Sequence, residues 1–208
     1  MNSDNNKFTD DVNQEIITNE DIDNEGEDGT GLFREILETV IYFIVIVVIF
    51  MLLQAFVGQH IEVIGSSMEN TLNNRDHLIL EKLSYRFNEP ARFDIIVFRP
   101  YDTEEEKDTF FIKRVIGLPG ERIKIENGQI YINGEVLEEN YGNEVIKDPG
   151  IAYEEIVLAS DEYFLLGDNR NNSSDSRSLG IGPVKKDAII GRAWARIWPL
   201  DNIEILNH

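Results

Sequence analysis

Residues 40–53 read VIYFIVIVVIFMLL, every one apolar or aromatic, and after Gln54 the run resumes as Ala55, Phe56 and Val57. Eighteen consecutive residues therefore carry no charge. A helix needs about 20 mostly apolar residues to cross the hydrocarbon core of a bilayer. Leu37 and Thr39 extend the run, with Glu38 near its edge. An ordinary core helix keeps a polar face toward water, and this run has none. A cleaved secretory signal starts basic and has a shorter apolar region, whereas more than thirty acid-rich residues come first here. The sequence predicts a retained single-pass anchor over 34–58. Arg34 lies just before the run and no Lys or Arg follows until Arg75. The bias of basic residues toward the cytoplasm then puts the N-terminus inside the cell membrane and the larger part of the chain outside.

The formal net charge of −20 is unevenly spread. Residues 1–31 hold ten acids against Lys7 alone, with few aromatics and no apolar periodicity. Such a segment cannot bury enough apolar surface to order itself, and 1–33 reads as a disordered cytoplasmic tail. Residues 59–208 hold 27 acids and 17 bases. That balance excludes a nucleic-acid binder, which needs a basic face. There is no cysteine, so disulfides, thiolate metal sites and cysteine nucleophiles are excluded as well.

Past the anchor the pattern changes to short alternating runs. Strands are predicted at 60–64, 78–83, 94–98, 110–116, 162–166 and 193–198. In ERIKIENGQIYINGEVL, residues 121–137, Asn-Gly pairs at 127–128 and 133–134 mark hairpins, because both residue types tolerate positive φ. The stretch 99–109 is charged and reads as an exposed hairpin loop. No stretch keeps a helical period over ten residues. Residues 59–208 are therefore expected to form a mostly β extracytoplasmic catalytic domain, with about 119–165 a smaller inserted hairpin region.

Three places could carry chemistry. Lys113, in FFIKRVIGLPG, shares a strand face with Phe111 and Val115. If that face is buried, desolvation lowers the lysine pKa and frees a neutral amine to act as a base; if not, Lys113 is an ordinary exposed strand lysine. Ser66 and Ser67 follow a strand beside Gly65, where the chain can turn sharply. Either is a bare loop hydroxyl unless a base takes its proton. The loop GDNRNNSSDSR, 167–177, is rich in side chains that bond to backbone, and Asp175 and Arg177 can pair within it. Asp168 and Asp175 form no convincing metal site, because His60, His77 and His208 sit at no ligand spacing. No metal and no cofactor is expected.

In order along the chain stand SMENTL at 67–72, FDIIVF at 93–98, KRVIGLPGE at 113–121, GDNRNNSSDSR at 167–177 and GRAWARIWP at 191–199. This series resembles the type I signal peptidases, membrane-anchored Ser/Lys proteases, in the short form of Gram-positive bacteria. The resemblance covers about residues 35 to 200. It implies that Ser67 is the nucleophile and Lys113 its general base, with Ser66 a spacer. Ser173, Asp175 and Arg177 correspond to residues supporting the lysine, and Asp168 to the acid of the G-D-N-R turn. Gly65 stands where some members place an oxyanion-hole serine, which leaves the Ser67 N–H as the main oxyanion donor. The family's S-M-x-P-T becomes S-M-E-N-T here. A proline at 70 would hold φ near −65°, and Asn70 is expected to support similar turn geometry at a higher ordering cost. Glu121 replaces an aspartate.

The resemblance implies cleavage of signal peptides from exported preproteins, with small residues at −1 and −3. The substrate would lie extended against edges at about 61–66 and 110–113. Ser67 lies ten residues past Val57, which places it near the bilayer and near where the secretion channel delivers its cargo. Other readings stay open at this point. A self-cleaving repressor of the LexA type shares the chemistry, but its DNA-binding part does not suit the apolar run and acidic start. A non-catalytic, membrane-tethered peptide-binding or assembly protein and a peptidase dedicated to pilin subunits are the others.

Overall fold

The computed structural model describes residues 27–56, 59–100 and 110–206. Most of the expected tail, 1–26, and most of the charged loop, 101–109, lie outside them. The chain divides into two units, Met1–Ile49 and Phe50–His208. Helix α1, Glu27–Phe56, starts inside the segment read as tail and carries the apolar run. Residues 31–51 of it are all exposed, and Arg34 pairs with Glu38 one turn on at 3.0 Å. Among the described residues no helix is long and apolar enough to cross a membrane. The side chains of 52–58, where the predicted anchor ends, fall outside that description.

The second unit is mostly β, as expected. Its strands are β1 (Gln59–Glu62), β2 (His77–Glu81), β3 (Ile95–Phe98), β4 (Phe111–Gly117), β5 (Arg122–Glu126), β6 (Gln129–Ile132), β7 (Glu135–Val136), β8 (Ile156–Val157), β9 (Glu162–Leu166), β10 (Val184–Lys185), β11 (Ile189–Trp198) and β12 (Glu204–Ile205). A four-residue helix, α2 (Ser84–Phe87), agrees with the absence of a longer helical period. The large sheet runs β1-β2-β11-β3-β4-β9-β10, with β12 on β11. A second, four-stranded sheet runs β7-β6-β5-β8, within the stretch 119–165. Both of its Asn-Gly turns have positive φ at both residues, 52° and 79° at Asn127 and Gly128 and 53° and 88° at Asn133 and Gly134. Only this backbone twist joins two strands in two residues without splaying them.

Alternation builds the core. On β5 and β6, Ile123, Ile125, Ile130 and Ile132 point inward and pack with Phe164 and Leu166 of β9. On the other side Val63, Met68, Leu72, Leu78 and Ile95 form the cluster under the Ser67 turn. Each fully buried side chain of this size contributes about 1.5–3 kcal/mol. The two ends of this arrangement leave an opening. Strand β1 pairs only with β2. Strand β4 pairs with β3 along Phe111–Arg114 but with β9 only from Arg114 onward. Among the described residues, β1 and the Phe111–Lys113 stretch of β4 thus present free strand edges.

Candidate active site

The turn that carries Ser67 is pinned from below. Met68 and Leu72 are 1% and 0% exposed, and Leu72 N–H donates to Met68 O at 2.8 Å. Burying these two side chains fixes the segment between them. Gly65 enters the turn at φ 96°, with its N–H donating to Asn74 Oδ1 at 2.9 Å.

Asn70 corrects the sequence reading. Its φ is 87°, far from the value near −65° to which proline is locked. The turn here is a different one, not a softer version of the proline turn. Asn is among the few residues with a Cβ that accept this region at low cost.

Lys113 arrives on β4. Its side chain is 3% exposed, so the buried alternative holds. Its Nζ lies 2.8 Å from Ser67 Oγ, 2.9 Å from Ile112 O and 5.5 Å from the centre of the Phe111 ring. Burial pushes its pKa down to about 8, against the opposing pull of the Asp175 and Asp168 carboxylates. Desolvation is the larger of these effects.

Those pairs form the frame behind the dyad. Arg114, the residue after the lysine, grips Asp168 through Nε at 2.8 Å and Nη2 at 2.6 Å. The pair is 1% and 0% exposed. Thr71 Oγ1 donates to the same carboxylate at 2.6 Å, so one acid ties β4, the Ser67 turn and the 167–177 loop together. Arg177 grips Asp175 at 2.8 Å through each of Nε and Nη2, and Asp175 accepts from Gly167 N–H at 3.1 Å. Gly167 has no room for a side chain. A Cβ there would lie 2.5 Å from Ser67 O and inside contact distance of Ser173 Oγ.

Ser173 is brought beside Gly167, but its buried Oγ has no partner among the described residues. Nor is Ser66 a mere spacer. Its Oγ accepts from Asn172 Nδ2 at 2.8 Å and its carbonyl from Asn169 Nδ2 at 3.1 Å. Asn169 N–H donates to Ser67 O at 3.0 Å. Sequence reasoning missed Thr71, Arg114, Asn169 and Asn172 as working residues. The one available signal was a second cation, Arg114, inside an otherwise apolar strand. Glu121, which stands where an aspartate was expected, receives Leu118 N–H at 2.8 Å and Arg92 at 2.5 Å, so its longer side chain closes the Pro-Gly turn.

In front of the dyad lies a groove of about 630 Å³, lined on one side by β1 and the residues after it and on the other by Phe110–Lys113. Ile61, Val63 and Phe111 make its walls apolar. No acceptor among the described residues takes the Ser67 N–H. Among the described residues no cluster of His, Asp and Glu is built to hold a metal ion. A hydroxyl against a desolvated amine, beside a groove with two free strand edges, is equipped for nucleophilic attack on an extended peptide.

A family model described as signal peptidase, peptidase S26, matches residues 36–198. The chain is similar to a probable signal peptidase I-2 of Synechocystis sp., 42% identical over 74% of this chain and 69% of that one. It is similar to a signal peptidase I of Leptolyngbya laminosa, 42% identical over 73% and 74% respectively. A signal peptidase I P of Bacillus subtilis subsp. natto is 33% identical over 81% of this chain and 92% of that one.

Proposed function

The chain belongs to the S26 signal peptidase family and is a signal peptidase I; on that premise we propose that Ser67 and Lys113 carry its reaction. The carrying observation is the 2.8 Å contact between Lys113 Nζ and Ser67 Oγ. Neutral Lys113 takes the hydroxyl proton as Ser67 Oγ attacks the carbonyl carbon at the cleavage site. The Ser67 N–H, at the turn set by Gly65, faces the oxyanion. The C–N bond then breaks, and the Lys113 ammonium returns its proton to the leaving amine, the new N-terminus of the mature protein. Water, deprotonated by Lys113, next attacks the ester carbonyl; the C–Oγ bond breaks as the Lys113 ammonium returns its proton to Ser67 Oγ, and the signal peptide leaves with a carboxyl C-terminus that ionises in solvent. Asp168, Asp175 and Arg177 support the base without touching substrate, and Ser173, packed beside Gly167, is assigned a supporting place by the family resemblance alone.

The substrate strand adds to the free edges of β1 and of Phe111–Lys113. Small residues at −1 and −3 then face the apolar walls of the groove, where a bulky side chain at −1 would collide with the turn. The protein is anchored in the bilayer by residues 34–58, with the N-terminus cytoplasmic and the catalytic unit outside, near the secretion channel. Supporting this are the 18 uncharged residues of 40–57 and the exposure of every apolar side chain from Leu32 to Met51. Such a surface needs a cover, and lipid supplies one.

A test uses the full chain in liposomes with a preprotein whose −1 residue is Ala or, in a second version, Phe. Cleavage of the Ala form after the −1 residue, loss of cleavage with Phe, and loss with either Ser67→Ala or Lys113→Ala are expected. Equal processing of both preproteins would contradict the groove reading.

A further inference from the structure

The segment leaving β7, residues 137–150, runs over the 167–177 loop. Its contacts with the loop include one to Arg170 and one to Asp168, and a third contact from the same segment reaches Arg114 on β4. Glu139 Oε1 accepts from Arg170 Nη1 at 2.6 Å, in a pair with side chains 11% and 2% exposed. The same Arg170 donates from Nε to Gly167 O at 3.1 Å, and Gly167 is the residue pressed against Ser67 O. Asn143 N–H donates to Asp168 O at 3.2 Å. The Tyr141 ring lies over the Arg114 guanidinium, its centre 3.7 Å from Cζ, and meets Phe93 at 5.1 Å.

The segment also holds itself in shape for this. The second Glu139 oxygen accepts the N–H groups of Tyr141, at 2.9 Å, and Gly142, at 3.4 Å. Gly142 lets the chain pass close to the Arg170 guanidinium, which a Cβ would approach to 3.1 Å. None of residues 139–143 lines the groove.

We propose that Glu139 and Tyr141 are positioning residues, a strap from the small sheet that holds the Ser67 turn and the Lys113 strand at their reacting separation. The inference rests on the reading of Ser67 and Lys113 as the reacting pair. Each end of the strap acts on one partner. Glu139 steadies Arg170 and so the Gly167 backbone behind Ser67. Tyr141 steadies Arg114, the neighbour of Lys113, by packing its face on a cation already gripped by Asp168. Displacing reacting atoms by an ångström costs about a hundredfold in rate, so a contact remote from substrate can act on kcat.

The experiment measures kcat, KM, the pH profile of kcat/KM and the unfolding midpoint for the full chain in detergent, as the original and as Tyr141→Phe, Tyr141→Leu, Glu139→Ala and Ser67→Ala. Tyr141→Leu is expected to lower kcat about tenfold or more, leave KM within about twofold, and shift the rising limb of the profile as the β4 strand carrying Lys113 moves. Tyr141→Phe keeps the ring and is expected to keep the original rate. A folded Tyr141→Leu with the original kcat and pH limb overturns the proposal, as does a Tyr141→Phe as impaired as Tyr141→Leu. If Tyr141→Leu unfolds below the assay temperature, Glu139→Ala is judged by the same criteria, and unfolding of both overturns the positioning role. If Ser67→Ala cleaves normally the dyad itself fails. If Ser67→Ala is inactive and the strap variants are not impaired, only the strap fails.

Discussion

Lys113 Nζ and Ser67 Oγ, 46 positions apart in sequence, stand 2.8 Å from each other, and the lysine that closes the contact is almost wholly removed from water. Burying a cation destabilises the fold, and under the proposed reaction the same burial supplies the neutral amine.

Replacing Lys113 by Met should therefore abolish cleavage and raise stability. Below about pH 8 the folded protein bears the whole cost of a charged amine moved out of water, since the pKa falls from 10.5 to about 8 on folding. Between those values the unfolded chain binds more protons than the folded one, so stability of the original rises with pH. The advantage of Lys113→Met, on the order of 3 kcal/mol at neutral pH, should shrink over that window. Thermal unfolding at a series of pH values checks this, and a Met variant less stable at neutral pH would contradict it.

Asn70→Pro restores the family's S-M-x-P-T yet should damage this protein. At φ 87° a proline ring cannot be accommodated, so the turn must rebuild. Cleavage should fall at least about tenfold with a lower unfolding midpoint, while Asn70→Gly, free to take positive φ, should stay close to the original. Steady-state rates of the two variants decide it.

Asp168→Asn leaves the Arg114 guanidinium buried without its counter-ion. The loss of one partner of such a pair costs about 3–5 kcal/mol. Arg114→Met should be similarly harmful, and Asp168→Asn with Arg114→Met should cost less than the two losses added together, a coupling that denaturant titration of the single and double variants measures.

Gly167→Ala tests the close approach of the loop to Ser67. The new Cβ has Ser67 O and Ser173 in its way, so the Ser67 backbone must shift. A fall in kcat of about tenfold or more with little change in KM is expected, read from initial rates on a preprotein.

Much of this was legible in the sequence because it is local. Short apolar runs gave β3 and β9 nearly to their ends, and the Asn-Gly pairs marked the hairpins of β5, β6 and β7, where both turn residues need positive φ. What escaped depended on partners far away. Strands β8, β10 and β12 are two residues each and exist only through their neighbours. Strand β11 begins four residues before the predicted start, because Gly191 and Arg192 interrupt its apolar pattern and a bulge falls between Ile189 and Gly191. At the site, the residue types of the 167–177 loop announced hydrogen bonding but not its targets. That Asn169 and Asn172 hold Ser66 and Ser67, a hundred residues upstream, follows from the fold alone. The φ of Asn70 was missed because a resemblance carries residue types and not backbone angles.

The dyad is tested most directly by kcat/KM against pH for the full chain, from about pH 5 to 10, with Ser67→Ala alongside. The account predicts a rise of tenfold per pH unit that levels near pH 8, where Lys113 becomes neutral, and no cleavage by Ser67→Ala. A profile flat from pH 5 upward, or a Ser67→Ala variant that cleaves at the original rate, would contradict it.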